Sequence, residues 1–251
     1  MSGIMQMLVG GKVALAIPLL YSPSVWFDAT DASTITATGS RVTQWNDKSG
    51  NARHVTNATT GPSTGVQNIS GKNALGFASA SSNSLTSSSS TGFINAANQT
   101  FTAFAVFRAT NMAITRLIMS LDGPVTPRMP QIMRTEVGNV LQMIRIDPTI
   151  VGESSAATLT TTSAFIGTTI YTTASLNALI NGVGNGVTAA GSNAVNQNRS
   201  LAIGMNGGYG DALFEGYMGE LILYPTVLTN AEINVIGNYL ATKWSISWTN
   251  L

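Results

Sequence analysis

The stretch that decides the fold of this chain is FEGYMGELILYPTVLTNAEINVIGNYLATKW, residues 214–244. Its first part, Phe214–Tyr224, is typical of a long strand. From Thr229 onwards the apolar residues recur instead at helical spacing and mark one face. The residues of this face are Ile233, Ile236, Tyr239, Leu240 and Trp244. Thr229 and Glu232 stand three residues apart, as in a capping box. The stretch therefore predicts a last strand followed by one helix of about 12–15 residues.

Upstream, the chain consists of short strand-like runs separated by turn formers. Phe101–Phe107 is aromatic and β-branched without a breaker, and Ser175–Ile180 ends in Asn181-Gly182, a hairpin signal. Residues 78–92 are mostly Ser and Thr and predict a solvated loop. Many short strands with turns between them predict an all-β fold, a two-sheet antiparallel jelly-roll sandwich with one C-terminal α-helix.

The first 22 residues form a separate, apolar segment. Val13–Leu20 is apolar apart from the interruption at Pro18, and it is shorter than the roughly 20 residues that cross a bilayer. We therefore predict no membrane span. Residues 1–22 are predicted to be an N-terminal extended arm, docked either on its own domain or on a neighbouring molecule. Residues 23–251 are predicted to be one domain, since sandwiches often reach about 200–250 residues.

The composition is polar but weakly charged. Charged residues make up 9% of the 251 residues, against roughly 25% in an average soluble protein. A surface of this kind suits a subunit within an assembly, or an extracellular or virion surface. The net charge is +1 and no basic run occurs, so nucleic acid is not an expected partner. The absence of cysteine excludes disulfides and thiolate metal sites.

Four segments, taken in order, resemble the laminin-G-like jelly rolls of the concanavalin A-like lectin and glucanase group, of the kind found in bacteriophage structural proteins. They are WFDA at 26–29, WNDKSGN at 45–51, LING at 179–182 and the closing stretch at 214–244. The resemblance runs from Trp26 to Trp244. It implies a sandwich that binds a partner, and it does not specify a ligand.

Catalytic chemistry finds little support in the sequence. Polysaccharide-cleaving enzymes need paired carboxylates, and the strand signature Glu-x-Asp-x-x-Glu of such enzymes with this fold is absent. Glu215 and Glu220 would lie on opposite faces of an unbulged strand. We expect Glu220 to bind a loop backbone and Glu215 to be solvated. His54 is the single histidine, and turn chemistry accounts for Asp28. The chain is therefore predicted not to be an enzyme.

Candidate ligand residues come from the resemblance and from exposed aromatic types. Relatives of the fold often bind Ca²⁺ at the rim of the sandwich through oxygen ligands. The candidates for such a calcium site are Asp122, Asn206 and Asp211, with turn formation as the alternative role. The candidates for a glycan-binding face are Tyr171, Tyr209 and Tyr217, with packing as the alternative. The residues expected in the core are Trp26, Trp45 and Trp244.

Three hypotheses about the function follow. The first is a bacteriophage virion structural protein, a head decoration or tail-associated protein located in the virion. It would be a homo-oligomer attached to other virion proteins through residues 1–22, with its jelly roll displayed outward towards surface glycans. The alternative is a carbohydrate-binding, lectin-like module of a bacterial or phage surface protein. The third hypothesis is a glycan hydrolase, which the absence of the paired-carboxylate motif disfavours.

Overall fold

The computed structural model describes residues 16–121, 131–147, 149–189 and 199–251. The strands in these ranges are β1 (Val25–Asp28), β2 (Ile35–Thr38), β3 (Arg41–Trp45), β4 (Val55–Thr56), β5 (Ser63–Ile69), β6 (Lys72–Phe77), β7 (Leu85–Ser87), β8 (Phe101–Ala109), β9 (Arg116–Ser120), β10 (Gln131–Glu136), β11 (Val140–Asp147), β12 (Thr149–Thr158), β13 (Phe165–Tyr171), β14 (Ser175–Ile180), β15 (Val183–Ala189), β16 (Ala202–Ile203) and β17 (Gly216–Tyr224). The helices are α1 (Asn230–Trp244) and the short 3₁₀ turns η1 (Ile17–Tyr21), η2 (Ala32–Thr34) and η3 (Ser79–Ser81).

The strands form two antiparallel layers. In the first layer β17 pairs with β1 and β6 along one edge and with β8 along the other, and β13, β14 and β15 follow. In the second layer the order is β2, β3, β4, β7, β16, β9, β10, β11 and β12. Strand β5 pairs with β6 at the edge of the first layer, and in the described ranges the pairing of Arg41 on β3 with Ser63 on β5 joins the two layers. The predicted all-β sandwich with one C-terminal helix is confirmed.

The first layer is buried on both faces, which explains the unbroken apolar run of β8. Phe101 and Phe107 point into the core between the two layers, whereas Phe104 points to the opposite face. Successive side chains on a strand alternate between faces, so a strand covered on both sides needs apolar residues throughout. Trp45 lies in the inner core and Trp26 and Trp244 in the outer one, all at most 5% exposed, as predicted.

Helix α1 covers the outer face of the first layer. Its N-terminus has the predicted capping box: the Thr229 hydroxyl accepts from the Glu232 backbone N–H, and the Glu232 carboxylate accepts from the Thr229 N–H. Its buried side chains belong to the predicted apolar face. Gly219 on β17 lets the helix approach, because a Cβ there would lie 2.6 Å from the Trp244 ring. No helix in the described ranges is long and apolar enough to cross a membrane.

The described end of the N-terminal segment is not extended. Residues 17–21 form η1, which packs on the outer core of the same chain. The Tyr224 hydroxyl donates to the Pro18 carbonyl oxygen at 3.0 Å, and Pro18 is buried. Of the two docking alternatives, residues 17–21 show docking on their own domain, because their apolar side chains pack on the outer core beside α1. Residues 1–15 of the predicted arm lie outside the described residues.

A second correction concerns the Ser- and Thr-rich residues 78–92. They contain η3 and the strand β7, which pairs with β4 and β16. Leu85 is fully buried, and the Ser87 hydroxyl both donates to the Ser89 carbonyl and accepts from the Leu201 N–H. One apolar residue and satisfied hydroxyls are sufficient for a short strand inside a sheet.

Candidate functional site

Glu220 is the centre of a buried hydrogen-bonded group between β17 and α1. Its carboxylate accepts from the indole N–H of Trp26 at 2.7 Å and of Trp244 at 2.8 Å. It also accepts from the Tyr239 hydroxyl at 2.9 Å and pairs with the Lys243 ammonium at 2.7 Å. Four donors therefore converge on one side chain that is 1% exposed. The expected bond to a loop backbone is wrong, because indole, phenol and ammonium donors surround both oxygens.

A second carboxylate lies beside the first. Asp28 is the register partner of Glu220 across β1 and β17, which places the two side chains next to each other. Lys243 bridges them, with Nζ 2.8 Å from Asp28 Oδ1. Lys48 continues the chain of charges, at 3.1 Å from Asp28 and 2.7 Å from Asp31. We call Asp28, Asp31, Lys48, Glu220 and Lys243 the charge cluster.

Burial and charge act in opposite directions within the charge cluster. Burial raises the pKa of Glu220, and the neighbouring Asp28 adds to this, although Lys243 opposes it. Burial alone would also raise the pKa of Asp28, but Lys243, Thr30 and Lys48 outweigh it and the pKa is lowered. The pKa of Tyr239 is raised by burial and by Glu220. Asp28 is thus the more firmly ionised of the two adjacent carboxyls.

The charge cluster is closed to a polymeric substrate. Asp28 is 4% exposed, and its carboxylate and that of Glu220 are taken up by internal donors. The charge cluster joins β1, β17, α1 and the turn that holds Lys48.

Glu215 and Glu220 do not share a partner within the described ranges. Glu215, expected to be solvated, instead accepts from Ser79 at 2.6 Å and pairs with the buried Arg116 at 3.1 Å.

The turn at residues 46–53 is organised by Asp47. Its carboxylate accepts from the backbone N–H groups of Trp26, Ser49 and Arg53 and from the Ser49 hydroxyl. His54 accepts from the Asp47 N–H through Nδ1 at 3.0 Å. Asp47 therefore plays the part of a turn-forming Asx residue and fixes the direction in which the rest of the turn points.

Alternate residues of this turn aim their donors at one carbonyl oxygen. The Ser24 carbonyl accepts from Arg53 Nη1 at 2.8 Å and from Asn51 Nδ2 at 3.1 Å, and Ser49 Oγ, whose hydrogen is donated to Asp47, lies 3.3 Å from it. Asn51 Nδ2 also lies 3.0 Å from the Pro23 carbonyl oxygen. A carbonyl oxygen has two lone pairs, so the donors of Arg53 and Asn51 satisfy it.

These donors form the floor of a cavity of about 500 Å³ at the rim of the sandwich. We call it the rim cavity. Its lining residues are Leu19, Ser22, Pro23, Ser24, Ser49, Asn51, Arg53, Gly92 and Pro225. Two further cavities of about 440 and 420 Å³ have no charged side chain in their lining. The rim cavity combines a cation, an amide and hydroxyls with apolar walls, and such convergent polar groups are typical of ligand sites.

The structure does not bring the predicted glycan-binding tyrosines together. Tyr171 is 3% exposed and stacks on Phe101 in the inner core, so its assignment to a ligand is wrong. Tyr217 packs partly against the outer core and carries the Arg108 guanidinium over its ring. On β8 the partners of these two tyrosines are seven residues apart, about 23 Å at 3.3 Å per residue. Tyr209 is 45% exposed, in a turn.

Two of the three residues predicted to bind calcium lie within the described ranges. Asp122 lies outside the described residues. Asn206 and Asp211 are brought together, because the Asn206 N–H donates to the Asp211 carbonyl at 2.9 Å in an isolated bridge. No group of three His, Cys, Asp or Glu side chains suited to a metal occurs in the described ranges. Calcium binding stays a prediction.

The rim residues Ser24, Ser49, Asn51 and Arg53 are the ones that sequence reasoning missed. Three of them lie in or beside the 45–51 motif, which was used only as evidence for the fold. A usable signal was the alternation of donor side chains at positions 49, 51 and 53. Its target, the Ser24 carbonyl, is 25 or more residues away and could not be read from the spacing.

Comparison with known proteins supports the fold and identifies no family. No family model matches the chain, and no curated protein matches it. Among solved structures, the binding domain of Paraclostridial Mosquitocidal Protein 1 is similar with a TM-score of 0.62 and 11% identity, over 87% of this chain and 52% of that one. The receptor binding domain of botulinum neurotoxin mosaic serotype C/D is similar with a TM-score of 0.58 and 13% identity, over 89% and 52%.

Trypanosoma rangeli sialidase, solved with the inhibitor DANA, is similar with a TM-score of 0.54 and 13% identity, over 85% of this chain and 32% of that one. The chain thus spans about half of the two toxin binding domains and about a third of the sialidase. At these identities the likeness shows a shared sandwich fold and no more.

Proposed function

We propose that this chain is a lectin-like binding module that takes a glycan in the rim cavity. The observation that carries the proposal is that Ser49, Asn51 and Arg53 line one open cavity, where Asn51 and Arg53 both donate to the Ser24 carbonyl. Donors held in place by a rigid turn are preorganised for a ligand rich in oxygen, and sugars are such ligands.

The size and walls of the rim cavity agree with this proposal. Its volume of about 500 Å³ falls within the roughly 300–1,000 Å³ of small-ligand sites. Leu19, Pro23 and Pro225 supply apolar wall, against which the C–H face of a sugar ring can pack. The site also lies at an edge of the sandwich, where a chain of sugars can continue into solvent.

The similar structures support a binding role. Two of the three reported above are binding domains, one of a mosquitocidal protein and one, a receptor binding domain, of a neurotoxin. The third is a sialidase, an enzyme that acts on a sugar substrate, but this chain spans only 32% of it. We infer that the chain acts by binding and not by catalysis, because the adjacent carboxyls of Asp28 and Glu220 are buried within the charge cluster.

A glycan array with three proteins tests the proposal. Wild type should bind a defined set of glycans, and Asn51→Ala should lose that binding, because Asn51 is an exposed lining residue whose amide supplies cavity donors. Asn250→Ala is the matched control: this residue is also exposed, but it contacts Asn238 near the helix. An array without any bound glycan, or equal binding by both variants, would contradict the proposal.

We also propose that the module is displayed on a bacteriophage virion as a homo-oligomer. The proposal is supported by the charged fraction of 9% and by the resemblance of four segments to jelly rolls found in phage structural proteins. Attachment would use the first residues of the chain, since residues 17–21 are already held by the domain. Mass spectrometry of purified particles should detect the chain, and deletion of residues 1–15 should abolish its incorporation. Particles without the chain would refute this role.

A further inference from the structure

We propose that the rim cavity recognises the acidic group of a sugar, a carboxylate or a sulfate ester, and that Arg53 is the residue that recognises it. This inference rests on the proposed glycan-binding function and names the ligand class. Three features carry it: the pairing state of Arg53, the guanidinium N–H groups that no described protein group uses, and the way in which the guanidinium is held.

Arg53 lacks the carboxylate partner that most buried or half-buried cations of the described ranges have; Arg108, bonded to the Thr161 carbonyl, lacks one too but does not line the rim cavity. Lys48, Lys243, Arg116 and Arg134 each form an ion pair with a carboxylate, at 2.7–3.1 Å. Within the same ranges no carboxylate pairs with the Arg53 guanidinium, whose bonded partner is the neutral Ser24 carbonyl. A half-buried guanidinium at a cavity wall without a counter-charge favours an anion supplied from outside.

The nearby acid does not remove this preference. The Asp47 carboxylate accepts from three backbone N–H groups and from the Ser49 hydroxyl, as described above, so its negative charge is distributed over internal donors. Arg53 contributes its backbone N–H to Asp47 and leaves its side chain to the cavity. The fixed charge that faces the cavity is therefore positive.

The Arg53 side chain has N–H groups that no protein group in the described part of the chain uses. Arg53 donates to the Ser24 carbonyl from Nη1, and within the described ranges its Nε and Nη2 have no protein acceptor, so they can turn to a ligand while that oxygen stays satisfied. A carboxylate or sulfate offers acceptors only, with about four or more lone-pair sites, which complements such a surface. A neutral sugar offers no negative charge to the guanidinium.

The guanidinium is also held in position before a ligand arrives. Its carbon lies 5.7 Å from the centre of the Phe93 ring, within cation–π range. Gly92 has a φ of +81°, and a Cβ at that position would collide with Arg53 Nη2. Glycine is thus required here by the backbone and by the arginine together. A fixed, planar fork of donors is the arrangement that binds carboxylate and sulfate oxygens in pairs.

The experiment measures binding to matched probes by isothermal titration calorimetry: sialyllactose against lactose, and a sulfated against an unsulfated galactose oligosaccharide. The full chain is compared with Arg53→Gln, Arg53→Lys and Arg41→Gln. Arg41 is an exposed arginine on β3, so Arg41→Gln removes the same charge away from the cavity. Thermal unfolding of each variant checks that the fold is retained.

We expect wild type to bind an acidic probe at least about tenfold more tightly than its neutral counterpart, because a hydrogen bond to a charged group is the interaction gained. Arg53→Gln should lose that preference, Arg53→Lys should keep part of it, and Arg41→Gln should stay within about twofold of wild type. The preference should weaken as salt is added. Which acidic probe binds distinguishes carboxylate from sulfate.

Three results would overturn the inference, and they separate it from the function on which it rests. Equal affinity for acidic and neutral probes refutes acid recognition and leaves the glycan-binding function standing. An acidic preference that survives in a folded Arg53→Gln protein refutes the role of Arg53. Binding to no probe here and to no glycan on the array refutes both the inference and the proposed function.

Discussion

Replacing Glu220 by Gln is the sharpest test of how the domain is held together. The substitution keeps the shape of the side chain and removes its charge. Lys243 then has Asp28 alone as its carboxylate partner, at 2.8 Å. The two indole N–H groups and the Tyr239 hydroxyl compete for one remaining carbonyl oxygen, and the new amide N–H₂ faces donors.

The magnitude follows from these lost contacts. Removing one member of a buried ion pair costs roughly 3–5 kcal/mol, and an unsatisfied buried donor costs roughly 1–3 kcal/mol. Burial raises the pKa of Glu220, so desolvation already offsets part of the attraction to Lys243, and we take the lower end, about 3 kcal/mol. For a chain of this size that corresponds to a Tm lower by about 6–12 °C.

Urea denaturation and differential scanning calorimetry measure this loss. Asp31→Asn is the control, because Asp31 is 32% exposed and its pair with Lys48 lies at the surface of the same charge cluster. Such a pair contributes about 0–1 kcal/mol. If Glu220→Gln costs less than about 1 kcal/mol, or no more than Asp31→Asn, the reasoning that the carboxylate holds α1 against β17 is refuted.

Three further predictions concern the charge cluster, η1 and the helix cap. The pKa of Asp28 is lowered from 3.8, so its stabilisation is present above that pH and is lost as the pH falls through the lower value. Urea titrations between about pH 6 and pH 2 should show a shallower acid loss for Asp28→Asn, and a loss equal to wild type contradicts this. Tyr224→Phe removes the bond to the Pro18 carbonyl and should cost about 0.5–1.5 kcal/mol, with faster amide exchange confined to residues 17–22; unchanged exchange there counts against it. Thr229→Ala should cost about 1 kcal/mol by chemical denaturation, because the Glu232 N–H loses its acceptor, and a change below a few tenths would show that the cap is dispensable.

The resemblance stated from the sequence has a physical basis in the charge cluster. Asp28 and Lys48 come from the two opening segments, and Glu220 and Lys243 come from the closing stretch. The structure joins them by three ion pairs of 2.7–3.1 Å. Residues that looked like separate short motifs are therefore one interior contact that closes the sandwich.

The sequence by itself determined the elements whose cause is local. The capping box at Thr229 and the apolar period place α1, and the run at Phe101–Phe107 places β8, because helix and strand periods are properties of neighbouring residues. The role of the tryptophans as core residues also followed, since large apolar surface must be buried somewhere.

Tertiary structure decided everything that depends on distant partners. The bulge between Met218 and Glu220 and the register with Asp28 place the Glu220 carboxylate among buried side-chain donors, where the sequence predicted a bond to a loop backbone. Tyr171 looked available for a ligand until β8 and β13 placed it against Phe101. The rim cavity exists only because a turn at 46–53 meets the Ser24 carbonyl and η1. Periodicity specifies which face of an element is apolar, but not what lies opposite that face, and a binding site is made of groups that come to lie opposite one another.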